Sequence, residues 1–120
     1  RCGDSNALGF STRLIGDRPA GSTPPGAPIV QVAVRANTAF GRSAPKLMPN
    51  SSDANVPMSL GIPAVILSSG GESGGWHSKA EWWNPANAWE DAQVGLATVL
   101  ALVGVHDVTE PVLAVRQQVR

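Results

Sequence analysis

The stretch Gly71-Glu72-Ser73-Gly74-Gly75 matches G-x-S-x-G, the turn on which some hydrolases carry a nucleophilic serine. His77, one of two histidines in the chain, follows closely. Two chemistries compete here. In one, Ser73 is the nucleophile and His77 its base; in the other, His77 is a metal ligand and the glycines are its setting. The serine chemistry needs Ser73 on a tight strand-to-helix turn, with an acid between serine and histidine in chain order. The preceding apolar run ends near Ser68, no helical pattern opens before His77, and His77 is too close to Ser73 for an intervening acid. The metal chemistry asks for a neutral imidazole at the end of a strand, where ligands gather in α/β sheets. Catalytic zinc takes about three protein ligands, so His77 is at most one member of a site, and a histidine among tryptophans also has a purely structural role open to it. Glu72 and Glu81 are further oxygen donors, although Glu81 also completes an S-x-x-E capping box with Ser78. Trp76, Trp82, Trp83 and Trp89 either wall a binding site or pack beneath the loop. His106, in a polar tail, reads as surface.

These residues need elements to position them. Leu8, Phe10, Thr12 and Leu14 alternate with Ser11 and Arg13, which predicts a half-exposed strand from Leu8 to Ile15. Gly16 to Pro28, rich in proline and glycine, predicts a linker and the best domain boundary in the chain. Ile29, Ala33, Ala36 and Phe40 recur at helical spacing between Pro28 and a stop at Gly41. A short helix is expected from Asp53 to Leu60, started by Ser52 or Asp53 and stopped by Gly61. Pro63 to Ser68, PAVILS, is apolar on both faces and predicts a central strand covered by helices. A helical turn is expected just after His77. Asn84-Pro85 then predicts the cap and first residue of a long, deeply buried helix that ends at Val103 and is closed by Gly104. The fold class expected is α/β.

Bulk properties narrow the partners. The 120 residues suit one modest domain, and 42% apolar residues argue against wholesale disorder. Nine basic residues balance nine acidic ones, and only 15% of residues are charged. Such a surface has no electrostatic footprint for nucleic acid or anionic lipid, and sparse charge suggests a surface covered by something else. No apolar run approaches the roughly 20 residues of a membrane span. Cys2, the single cysteine, excludes an internal disulfide and leaves the redox compartment open; the expected location is cytoplasmic. The chain opens on Arg1 rather than methionine, so it is expected to be part of something longer.

Three segments in order carry a family resemblance. Asn50 to Leu67, NSSDANVPMSLGIPAVIL, followed by the glycine loop and then His77-Ser78-Lys79-Ala80-Glu81-Trp82, resembles the C-terminal end of dizinc metallopeptidases of the aminoacylase, carboxypeptidase and tripeptide-aminopeptidase type. Ile15 to Gly21, IGDRPAG, resembles the point where their chain returns from a lid domain. The resemblance implies a division into 1–22 (end of the lid or dimerisation domain, with linker), 23–106 (C-terminal part of the catalytic domain) and 107–120 (tail). It implies hydrolysis of amide bonds in short peptides or N-acyl amino acids by two zinc ions, which polarise the carbonyl and lower the pKa of a bridging water. His77 matches the last metal ligand in chain order, while Ser52, Asp53, Gly70 and Gly71 match the substrate side of the site. For Ser52 and Asp53 helix capping is the alternative. The family's other ligands and its general base have no counterpart in these residues. The chain is therefore expected to act with the remainder of the peptidase, on the same longer chain or a partner chain, and to dimerise through the lid. A non-catalytic interaction module or a degenerate fragment is the rival expectation, and a serine hydrolase using Ser73 is a weaker one.

Overall fold

The computed structural model describes residues 9–114. Within them the chain forms three helices and one two-stranded antiparallel hairpin, a small mixed helix-and-strand arrangement. Helix α1, Pro28–Ala39, starts on proline, whose missing N–H costs nothing in the first turn, and stops at Gly41 with φ 75°. Its buried residues are Val30, Val32, Ala33 and Ala36. The expected face is thus rotated: Ala33 and Ala36 are buried, but Phe40 is exposed and Val30 and Val32 complete the contact.

Helix α2, Asn55–Ser59, starts two residues later and ends one residue earlier than expected. The N-cap position is Ala54, with no side-chain cap, and Ser52 instead ties the turn ahead of the helix: its hydroxyl accepts from the Ala54 amide at 3.3 Å, and Asn55 Oδ1 accepts from the Ser52 amide at 2.9 Å. Asp53 instead points to solvent and pairs with Arg18 at 3.5 Å, a surface contact of little energetic weight. The stop at Gly61 holds, with φ 75°; the Ile62 amide donates to the Pro57 carbonyl and the Gly61 amide to Met58, which satisfies two helix-end carbonyls.

Helix α3, Ala88–Val103, begins later than expected. Asn84 Oδ1 accepts from the Ala86 amide at 3.1 Å, so it caps a turn ahead of the helix rather than the helix itself. The helix is not deeply buried. Asp91, Val94, Thr98 and Leu102 form one buried line against α1, whereas Leu96, Val99 and Val103 are each more than half exposed. After Gly104, with φ 78°, the chain turns and returns along α3, and the amides of Val112 and Leu113 donate to the carbonyls of Ala101 and Leu102. Those carbonyls would otherwise be orphaned at the helix end.

Both expected strands outside the hairpin are corrected. Leu8 lies outside the described residues; residues 9–15 form no strand, and Phe10, Leu14 and Ile15 are exposed. Pro63–Ser68 runs without turn or bend but pairs with no strand among the described residues. A strand is defined by the neighbour that takes its backbone hydrogen bonds. The Gly16–Pro28 segment is tied down locally. Thr23 Oγ1 donates to the Ala64 carbonyl at 2.7 Å and accepts from the Ala64 amide at 2.9 Å, and Asn55 Nδ2 donates to the Pro19 carbonyl.

Among the described residues six apolar ones make the core, and the radius of gyration is 21.2 Å against about 14 Å for a compact domain of this length. One polar contact reinforces that core. Asp91, 6% exposed on α3, receives both guanidinium nitrogens of Arg42, with Nη2 to Oδ2 at 2.9 Å. The hydrogen bonds from Arg42 hold the Asp91 carboxyl below its ordinary range, against the opposing pull of burial. A depressed carboxylate contributes stability that is present above its unfolded pKa, about 4, and is lost as pH falls through the folded value. Asp91→Asn should therefore cost about 1–3 kcal/mol at pH 7. In thermal melts the gap to wild type should narrow between pH 4 and pH 2; a gap that ignores pH would contradict the pairing.

Candidate functional site

The chemistry-bearing residues gather on the hairpin. Strand β1, Glu72–Gly74, pairs with β2, Trp82–Asn84, so that Glu72 lies opposite Asn84, Ser73 opposite Trp83 and Gly74 opposite Trp82. Glycines form its neck. Gly70 and Gly71 both have positive φ, 80° and 71°. A side chain on Gly70 would run into the backbone of Ala88, and one on Gly71 into the Asn84 carbonyl. The Gly70 carbonyl accepts the Trp83 indole N–H at 3.0 Å, which fixes that ring to the neck.

The connecting loop, 75–81, is built by Ser78 and Glu81. Ser78 Oγ donates to the Gly75 carbonyl at 2.6 Å and accepts from the Ala80 amide at 3.1 Å. The expected helical turn after His77 does not propagate: Glu81 Oε2 accepts from the amide of His77 at 3.3 Å, and Trp82 pairs immediately with β1. The serine–glutamate pattern here closes a loop instead of starting a helix, because the next residue is claimed by a strand. His77 is left in the left-handed conformation with φ 62°. For a non-glycine residue that conformation costs about 1–2 kcal/mol, and such strain clusters at functional sites.

An open depression of about 740 Å³ lies on this face, lined by Ser69, Ser73, Trp76, His77, Glu81, Trp82 and Trp83. The three indoles are all more than half exposed, so they wall the depression rather than fill a core. Ser73 Oγ accepts the Trp76 indole N–H at 2.9 Å. It sits in the middle of β1 and not on a strand-to-helix turn. The His77 imidazole is exposed and hydrogen-bonds to nothing among the described residues.

Of the residues expected at a site, His77 and Glu81 come together on the depression's rim, and Gly70 and Gly71 form the neck that supports it. Ser52 and Asp53 do not line it; they belong to the turn ahead of α2. Ser69 lines the depression unanticipated, since a lone serine past an apolar run carries no spacing signal. Among the described residues no three of His, Cys, Asp and Glu converge as a metal centre. The donor set at the rim, one imidazole and one carboxylate already engaged by an amide, does not make a complete zinc site. Neither a protein-family model nor a curated protein matches the chain.

Proposed function

We propose that the chain is the C-terminal part of a zinc-dependent peptidase or amidohydrolase that cleaves amide bonds of short peptides or N-acyl amino acids. It contributes His77 as one metal ligand and the tryptophan-walled depression as the substrate side. The observation that carries this reading is the posture of His77. Its backbone is held in a costly conformation by the Glu81 carboxylate, and its imidazole stands unengaged at the mouth of an open depression. A histidine serving only to pack would be buried or hydrogen-bonded. Since the rim does not complete a zinc site, the other ligands and the general base come from the remainder of the enzyme.

Within this chain the division of work is local. Glu81 positions His77 through its backbone. The indoles of Trp76, Trp82 and Trp83 offer flat apolar surface to substrate side chains, and their wall keeps bulk water from one side of the scissile bond. The Gly70–Gly71 neck keeps that wall in register with α3.

The natively purified protein should hydrolyse members of a panel of dipeptides and N-acyl amino acids, lose that activity to a chelator and regain it with zinc. Activity indifferent to chelation would overturn the proposal. The serine alternative is separated by Ser73→Ala: turnover should stay within about threefold of wild type, because Ser73 is engaged by Trp76. A loss of about 10³-fold would establish a serine nucleophile. A purely structural interaction module is favoured by the exposed apolar line of Leu96, Val99 and Val103, and predicts no hydrolysis with any member of the panel.

A further inference from the structure

The Arg42–Asp91 pair does not end at the core. Besides both Arg42 nitrogens, the Ser68 hydroxyl hydrogen-bonds the buried Asp91 carboxylate. Ser68 Oγ in turn accepts from the Gly70 amide at 3.1 Å. The Gly70 carbonyl accepts the Trp83 indole N–H at 3.0 Å. Gly70 itself is buried, so close to the start of α3 that a Cβ would strike the backbone of Ala88, one turn before Asp91. An unbroken run of hydrogen bonds thus leads from the end of α1, through α3 and the neck, to a ring that lines the depression.

The donors in this run have one possible direction. A backbone amide only donates, so Ser68 Oγ must accept from Gly70, and its own proton is then free for Asp91. An ionised carboxylate only accepts, and a guanidinium only donates, so Asp91 serves Arg42 and Ser68 together. Asparagine at 91 would have to turn its NH2 toward one of those donors, leaving either Arg42 or Ser68 without its partner. Ser68, unlike Asp91, is exposed, so its hydroxyl can be removed without opening the core.

We propose that Asp91 and Ser68 are positioning residues for the tryptophan wall, which they hold through the Gly70 neck. The test reads the indole N–H resonances of the natively purified protein, with Trp83 assigned as the one lost in Trp83→Phe. The Trp76 indole, bonded to Ser73, is the internal reference. Ser68→Ala and Asp91→Asn should each speed hydrogen exchange at the Trp83 indole about fivefold, the equivalent of one hydrogen bond. Because they cut one path, the double variant should go no further than either single one. Ser68→Thr, which keeps the hydroxyl, should behave as wild type. Val94→Ala opens the same contact between α1 and α3 at a residue 2% exposed; it should melt lower yet leave the Trp83 exchange unchanged in the folded protein. A Trp83 indole indifferent to Ser68→Ala or Asp91→Asn overturns the proposal. So do additive effects in the double variant, failure of threonine to restore the signal, and an equal response to Val94→Ala, which would mark general loosening. The inference deepens the reading of the depression as the substrate side, on which Ser68→Ala should raise KM about fivefold with kcat within about twofold. A Trp83 response with KM unchanged would keep the relay and remove the depression from the substrate side, so the two readings fail separately.

Discussion

On the proposed reading, His77→Ala in the natively purified protein should lower kcat/KM for amide hydrolysis by at least about 10²-fold and reduce zinc content. Losing a group that merely orients a ligand costs 10–100-fold in affinity or activity, so losing a ligand costs at least the upper end, about 2.7 kcal/mol of transition-state stabilisation. The ambiguity in such a result is that His77 also shapes its loop. His77→Gly resolves it, because glycine adopts φ 62° without strain and keeps the amide that donates to Glu81. Were His77 structural, glycine would retain activity or improve it. As a ligand, His77→Gly should be as inactive and as zinc-poor as His77→Ala while melting no lower than wild type. Kinetics, zinc content and a melting curve on the two variants check all three outcomes.

The second large effect is expected far from the imidazole. Gly70→Ala places a Cβ against the Ala88 backbone at a residue with φ 80°. The left-handed conformation costs about 1–2 kcal/mol and the overpacking about 1–3 kcal/mol, so a loss of about 2–5 kcal/mol is expected. The neck must open to relieve the contact, which breaks the hydrogen bond from the Trp83 indole to the Gly70 carbonyl. Melting temperature should fall by several degrees and the tryptophan near-ultraviolet circular dichroism should change. Gly16→Ala is the matched control, since nothing lies within 4 Å of its new methyl group; it should leave both signals alone. A Gly70→Ala protein indistinguishable from wild type would show that the neck does not hold the tryptophan wall.

Local signals in the sequence were legible where the chain's own neighbours decide the structure. Proline at the start of α1 and glycines at 41, 61 and 104 mark the three helix ends, because these depend on backbone freedom within a few residues. The signals misled where a distant partner decides. PAVILS has the composition of a central strand, yet a strand exists only with a neighbour, and none of the described residues supplies one. The apolar residues of α3 exceed what α1 can cover, so the expected deep burial is replaced by one buried line and one exposed line. At the site, the Ser78–Glu81 pattern marked a real pair of backbone contacts but not their use. Its helix-starting role was overridden when Trp82 joined β1. The Arg42–Asp91 clamp was hidden altogether, because its partners lie 49 positions apart and only Asp91's place in line with Val94, Thr98 and Leu102 hints that it is buried.

Zinc binding by the His77 imidazole can be measured directly, because the chain has only two histidines. Imidazole ¹⁵N resonances of the natively purified protein, recorded with zinc, after chelation and after zinc is restored, report on His77 and His106 separately. His106 is exposed beside Asp107 and serves as the internal reference. A His77 nitrogen resonance that shifts on zinc loading, reverts on chelation and returns with zinc, while His106 stays fixed, is the predicted result. A His77 resonance indifferent to zinc in a protein that still binds the metal and hydrolyses amides would rule out His77 as a ligand.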